Sequence, residues 1–132
     1  MNAEARRSDH GLRDTEMELE ERLEFIKAHD PEGMDKLKRL LDRKSYLLEK
    51  NVYGEIFTER QFDLVFDPLL RSGYDRAQIL KALSEKDDTV PGLAEKLSLE
   101  QSRTFDYIKD LLKRNLVEIV GFEERHPVYR KR

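Results

Sequence analysis

Gln101, Ser102, Arg103 and Tyr107 fall within one short stretch of the chain. Their side chains suit nucleic acid: Gln matches the edge of adenine, Arg the edge of guanine, and the Ser and Tyr hydroxyls reach phosphate oxygens. A second group, Arg125, His126, Arg130 and Lys131, lies near the C-terminus and carries donors that could hold a sugar–phosphate backbone or a minor groove. Phe105 and Asp106 sit among the first group and favour different chemistry. A carboxylate beside phosphate erodes the attraction that supplies most non-specific affinity, and an outward Phe suits an apolar pocket on a partner protein. Glu100, Glu123 and Glu124 raise the same electrostatic objection.

Residues that could catalyse or bind metal are sparse. The chain has no cysteine, which excludes thiol catalysis, disulfides and cysteine-bearing metal sites. His10, His29 and His126 are far apart and make no ligand-spaced pair on a helix. Asp87-Asp88 reads as a solvated turn. Ser45 and Ser102 have no neighbouring His in a nucleophile pattern, and no glycine-rich loop could cradle phosphate. The expectation is a protein that is not an enzyme and has no cofactor and no metal. Tyr46, Phe57, Phe62 and Phe66 could line a ligand pocket, but aromatics at helical spacing read more simply as core.

With 40% charged and 38% hydrophobic residues, the chain suits a helical fold, where each helix hides one stripe and solvates the rest. Net charge is −3, so this is no cationic glove for nucleic acid. Residues 74–132 carry 12 Lys/Arg against 11 Asp/Glu, so the acidic excess lies in the first half. No apolar run approaches the ~18 residues that span a bilayer. Met1 to Asp14 mixes charges without an apolar core, so it reads as a disordered tail and not as a secretory signal. These features predict a cytoplasmic protein with no membrane partner.

Residues 15–73 should form a helical region. A helix from Thr15 to Ala28 carries Leu19, Leu23 and Ile26 on one stripe and is otherwise acidic. Asp30-Pro31 stops the chain and caps a second, basic helix from Pro31 to Lys50, giving a helical hairpin. Its apolar stripe is wider than one partner helix requires, which suggests further burial against the C-terminal half or a second copy of the chain. Asn51 to Phe57 is a connection. Thr58 to Gln61 has the spacing of a capping box, and Phe62, Val65, Phe66, Leu69 and Leu70 follow helical periodicity. Pro68 should kink or restart that helix, and Ser72-Gly73 should end it.

From Asp75 the pattern is helix, helix, turn, helix, hairpin. Asp75 and Gln78 bracket a helix start, with Ala77, Ile79, Leu80 and Leu83 buried. Thr89 caps a short helix with Pro91 in its first turn, and Gln101 to Arg114 forms a third helix that Asn115 ends in the left-handed region. Leu116 to Val120 and Val128 to Arg130 are strands about a charged turn. Residues 74–132 resemble winged helix-turn-helix regulators of the arsenic-repressor (ArsR) and multiple-antibiotic-resistance-repressor (MarR) types. The likeness is carried by Ile79 to Leu83, Thr89 to Leu97, Leu99, Ser102, Ile108, Leu111, Asn115 to Val117 and Tyr129. The chain departs from that pattern at Ser98, where the turn usually has Gly, and at Glu100, where the recognition helix usually has a Ser or Thr cap.

The fold class expected is mainly α: an N-terminal helical segment, then a winged helix-turn-helix with a small antiparallel β-hairpin. The resemblance implies a sequence-specific DNA-binding transcriptional regulator that contacts double-stranded DNA as a homodimer joined through the N-terminal helices. Gln101, Ser102, Arg103 and Tyr107 would act on the recognition helix, and Arg125, His126, Arg130 and Lys131 on the wing. The alternative is an accessory subunit that docks on a larger enzyme complex, with Phe105 and Asp106 at the protein contact and no DNA.

Overall fold

The computed structural model describes residues 11–48 and 58–132. Residues 1–10 of the expected tail Met1 to Asp14, the end of the expected basic helix at 49–50, and the connection Asn51 to Phe57, with its aromatic Phe57, lie outside the described residues. Among the described residues, six helices and a hairpin follow in order: α1 Gly11–His29, α2 Pro31–Asp42, α3 Lys44–Leu48, α4 Glu59–Glu85, α5 Val90–Leu97, α6 Gln101–Lys113, β1 Val117–Glu123 and β2 His126–Lys131. The protein is mainly α with a C-terminal antiparallel two-stranded hairpin.

Asp30 joins α1 to α2 as expected. Its Oδ1 accepts the Gly33 N–H at 3.1 Å, and Pro31 occupies the first turn, where its missing N–H has no intrahelical partner. Two boundaries differ from the sequence reading. Helix α1 begins at Gly11 rather than Thr15. The basic helix is broken at Arg43, whose N–H is shared between the carbonyls of Arg39 and Leu40, each at 3.2 Å, so the last turn tightens before α3 starts.

The largest departure is α4. Thr58 and Gln61 make the reciprocal capping box, at 2.8 and 3.1 Å, and start the helix where the sequence places it. The helix then runs 27 residues, through Pro68 and through Gly73, into what the sequence reads as a separate helix. Pro68 is tolerated because it lies on an exposed face, where water can satisfy the Leu64 carbonyl it leaves without a donor. Gly73 is not a terminator. It is buried where α1 and α2 cross α4, and a Cβ there would lie 3.4 Å from Leu37 Cδ1 and 3.5 Å from Ile26 Cδ1. Asp75, expected near a helix start, is therefore a buried residue in mid-helix.

One helix thus serves two cores. The first half of α4 supplies Phe62, Phe66 and Leu70 to a cluster with Ile26 of α1 and Leu37 of α2. Phe62 and Phe66 stack at 5.4 Å between ring centroids, so they are packing residues, while Tyr46 is exposed. The second half supplies Ile79, Leu80, Ala82 and Leu83 to a cluster with Leu93, Ile108, Leu111, Val117 and Tyr129. Each fully buried Leu, Ile or Phe contributes about 1.5–3 kcal/mol of transfer free energy, so both ends of α4 are firmly anchored. Beyond α4, Asp88 exchanges backbone hydrogen bonds with Tyr129 at 3.1 and 2.8 Å, which places β2 between Asp88 and β1.

Candidate nucleic-acid interface

Local chemistry sets the approach to α6. Thr89 caps α5 by accepting the Gly92 N–H at 3.1 Å, and Pro91 fills the first turn. Asp88 Oδ1 accepts the Thr89 N–H at 2.8 Å, and its Oδ2 lies 3.7 Å from Lys96 Nζ, so this acid is structural. The turn that follows needs a left-handed residue, and Ser98 supplies it at φ 58° without being glycine. The Leu99 N–H then reaches back to the Ala94 carbonyl at 2.9 Å. Glu100 precedes α6 and makes no side-chain cap; instead the Thr104 hydroxyl donates to the Glu100 carbonyl at 2.8 Å.

Helix α6 buries Thr104, Tyr107, Ile108 and Leu111. Its opposite face is open. Gln101, Ser102, Phe105, Asp106, Lys109 and Lys113 are exposed, and Arg103 is half-buried. Among the described residues nothing covers this outer face. Consecutive residues on a helix cannot share a face, and the predicted readers diverge accordingly. Ser102 points along the exposed ridge. Gln101 lines a hollow with Asp88, Glu95, Glu123, Glu124 and His126 on the wing side. Arg103 lines another beside Asp67, Pro68 and Arg71 of α4, together with Asp106 and Tyr107.

Tyr107 is a correction. It is 7% exposed, and its hydroxyl donates to the Asp75 carboxylate at 2.9 Å. Its ring lies against the Arg76 guanidinium, 5.8 Å from centroid to carbon. Burial pushes the Tyr107 phenol above its usual range, and acceptance by Asp75 adds to the shift. This hydroxyl ties α6 to α4 and is not a phosphate contact. The sequence offered no partner for it, because Asp75 read as a residue at a helix start.

Lys109 and Lys113 were missed. They continue the exposed ridge from Phe105 at intervals of four, the spacing that keeps side chains on one helix face. Lys109 Nζ lies 3.3 Å from Asp106 and 5.0 Å from the Phe105 ring centroid. Asp106 thus offsets one cation of the ridge, and Phe105, 45% exposed, is partly covered by the lysine.

The wing is the β1–β2 hairpin, paired from Val117↔Lys131 to Glu123↔His126 with a bulge between Ile119 and Gly121. Glu124 and Arg125 form its turn at φ 49° and 78°. Arg125, His126, Arg130 and Lys131 are all exposed, as a wing contact requires. Arg130 is partly committed, with Nη2 3.3 Å from Glu118 across the hairpin. Phe122 is the most exposed large apolar side chain among the described residues, at 72%.

Among the described residues no cluster of three His, Asp or Glu side chains could hold a metal ion, and no helix is long and apolar enough to cross a membrane. His29 packs against Phe25 with the rings tilted, 4.5 Å between centroids. His10 lies outside the described residues.

A helix-turn-helix of α5 and α6, backed by the second half of α4 and closed by a two-stranded hairpin, is a winged helix-turn-helix domain. Residues 74–118 match the family described as "Bacterial regulatory protein, arsR family", which bears out the resemblance read from the sequence. The match begins inside α4, ends in β1 and covers about a third of the chain. It supports a DNA-binding transcriptional regulator as the kind of protein this domain serves. No curated protein and no solved structure matches the chain.

Proposed function

We propose that this protein is a sequence-specific, DNA-binding transcriptional regulator that acts in the cytoplasm as a homodimer through its N-terminal helices. The observation that carries the reading is the open outer face of α6, which presents Ser102, Lys109 and Lys113, with Gln101 and Arg103 on its two flanks. In a major groove, Gln101 and Arg103 would reach base edges, and Lys109 and Lys113 would neutralise phosphates. Arg125, His126 and Lys131 of the wing would meet the backbone beside it. Support for the dimer comes from exposed Leu64, Val65 and Leu69 on the first half of α4, an apolar face that water does not favour.

Docking to a protein partner is the second reading. It is favoured by exposed Phe105 and by the carboxylates Asp88, Glu95, Glu123 and Glu124 around the hollow beside Gln101, which repel phosphate. One selection experiment separates the two. Purified protein is incubated with random genomic fragments across a salt series, and bound DNA is sequenced. Enrichment of a palindrome with half-sites about one DNA turn apart, lost steeply as salt rises, is the expected result. Absence of binding even at low salt would overturn the DNA reading in favour of the protein partner.

A further inference from the structure

We infer that Asp30 and Arg114 form a positioning device that sets the angle of the recognition helix from the N-terminal hairpin. The inference deepens the DNA-binding reading and rests on it only for the functional consequence. Arg114 caps the C-terminus of α6, and Asp30 is the hinge between α1 and α2, 84 residues earlier. Arg114 Nη2 donates to Asp30 Oδ1 at 2.6 Å and Nη1 to Oδ2 at 3.2 Å, a two-pronged fork. Its Nε donates to Glu32 at 2.9 Å, and Asp110, one turn back, lies 3.6 Å from Nη1 and bridges to Arg76 of α4 at 3.6 Å.

This geometry is specific in a way that apolar packing is not. The Asp30 side chain is 1% exposed and the Arg114 side chain 20%. Burial alone would weaken the guanidinium's hold on its proton; the bonds to Asp30 and Glu32 outweigh that and keep it above its ordinary value. A planar fork gripping a carboxylate fixes direction as well as distance. The carboxylate is itself immobilised, since Oδ1 also accepts the Gly33 N–H. Helix α6 otherwise packs on α4, α5 and β1. A rotation of α6 about its buried stripe would be resisted weakly by apolar contacts, which lack direction, and strongly by this fork. An ion pair this buried contributes little net stability after desolvation, so a geometric role is the better account of it.

Three variants separate charge, geometry and fold. Asp30→Asn keeps a good helix cap but removes the carboxylate. Arg114→Lys keeps the charge but loses the fork. Gly33→Ala keeps both charges and displaces the carboxylate, because its Cβ would come 2.3 Å from Asp30 Oδ2. Spin labels are attached at Lys36→Cys and Lys109→Cys in this cysteine-free chain, and their separation is measured by pulsed electron resonance below the unfolding temperature. With doubly labelled chains diluted into excess unlabelled protein, so that only the distance within one chain is read, one narrow distance is expected in the parent, and a shifted or broadened one in all three variants. Unlabelled variants are then compared on the enriched DNA fragment and on random DNA. We expect about a tenfold loss of preference for the enriched fragment, with non-specific affinity and salt slope unchanged. Unchanged distance distributions would overturn the proposal whatever the DNA result. A changed distance in a protein that binds no DNA at all would leave the positioning device standing and remove the DNA-binding reading.

Discussion

Replacing Gly73 by Ala tests the continuity of α4, on which the arrangement of both cores depends. If Gly73 ended a helix in the left-handed region, Ala would cost about 1–2 kcal/mol through its Cβ clash. In the structure Gly73 is helical and interior, so Ala removes the entropic penalty of glycine, about 0.5–1 kcal/mol. The added methyl would sit 3.4 and 3.5 Å from Leu37 Cδ1 and Ile26 Cδ1, ordinary contact distances, so packing adds no strain. The net expectation is a stabilisation of about 0.5–1 kcal/mol. For 132 residues the unfolding entropy is about 0.28 kcal/mol/K, so Tm should rise by about 2–4 °C. Thermal unfolding followed by circular dichroism at neutral pH reads this directly. Gly73→Leu is the companion variant: its extra atoms would force α1 and α2 off α4, with a cost of about 1–3 kcal/mol or more. A Tm that falls with Ala would refute the continuous helix and restore a break between the two halves.

Tyr107→Phe should lower stability by about 1–3 kcal/mol, because Asp75 loses its buried donor; chemical denaturation measures this, and unchanged DNA affinity of the folded variant would confirm that the hydroxyl is no phosphate contact. Alkaline pH should unfold the protein through the same group and through Tyr129, whose phenol burial also pushes up. Both phenols hold their protons more tightly folded than unfolded, so their contribution is intact below about pH 10 and declines as pH rises through the elevated folded values; a pH series of denaturation midpoints checks the direction, and Tyr107→Phe should blunt the decline. Ser98→Gly should stabilise by about 0.5–1 kcal/mol, since Ser98 holds φ 58°, where glycine carries no Cβ penalty; a lower midpoint would show that the Ser side chain contributes something the turn geometry does not.

The sequence by itself determined features whose causes lie within a few residues. The caps at Asp30, Thr58 and Thr89, the left-handed Asn115 at φ 63°, and the order of helices and hairpin that defines the wing all follow from local hydrogen bonding and periodicity. The exposed ends of the site were legible for the same reason: Ser102, Arg125 and Lys131 are polar residues on faces that the apolar stripes leave open. Only the tertiary structure decided the rest. Gly73 reads as a terminator until α1 and α2 are seen to cross α4 there, with Ile26 and Leu37 packed over a helix that continues. Tyr107 reads as a phosphate contact and Asp75 as a helix-start residue until packing of α6 on α4 makes them partners. Arg114 reads as a helix-end cation until the hairpin brings Asp30 to it from 84 residues away. Local patterns report the free energy of a turn or a cap, whereas the fate of a polar side chain depends on which distant surface covers it, and that is set by the packing of whole helices.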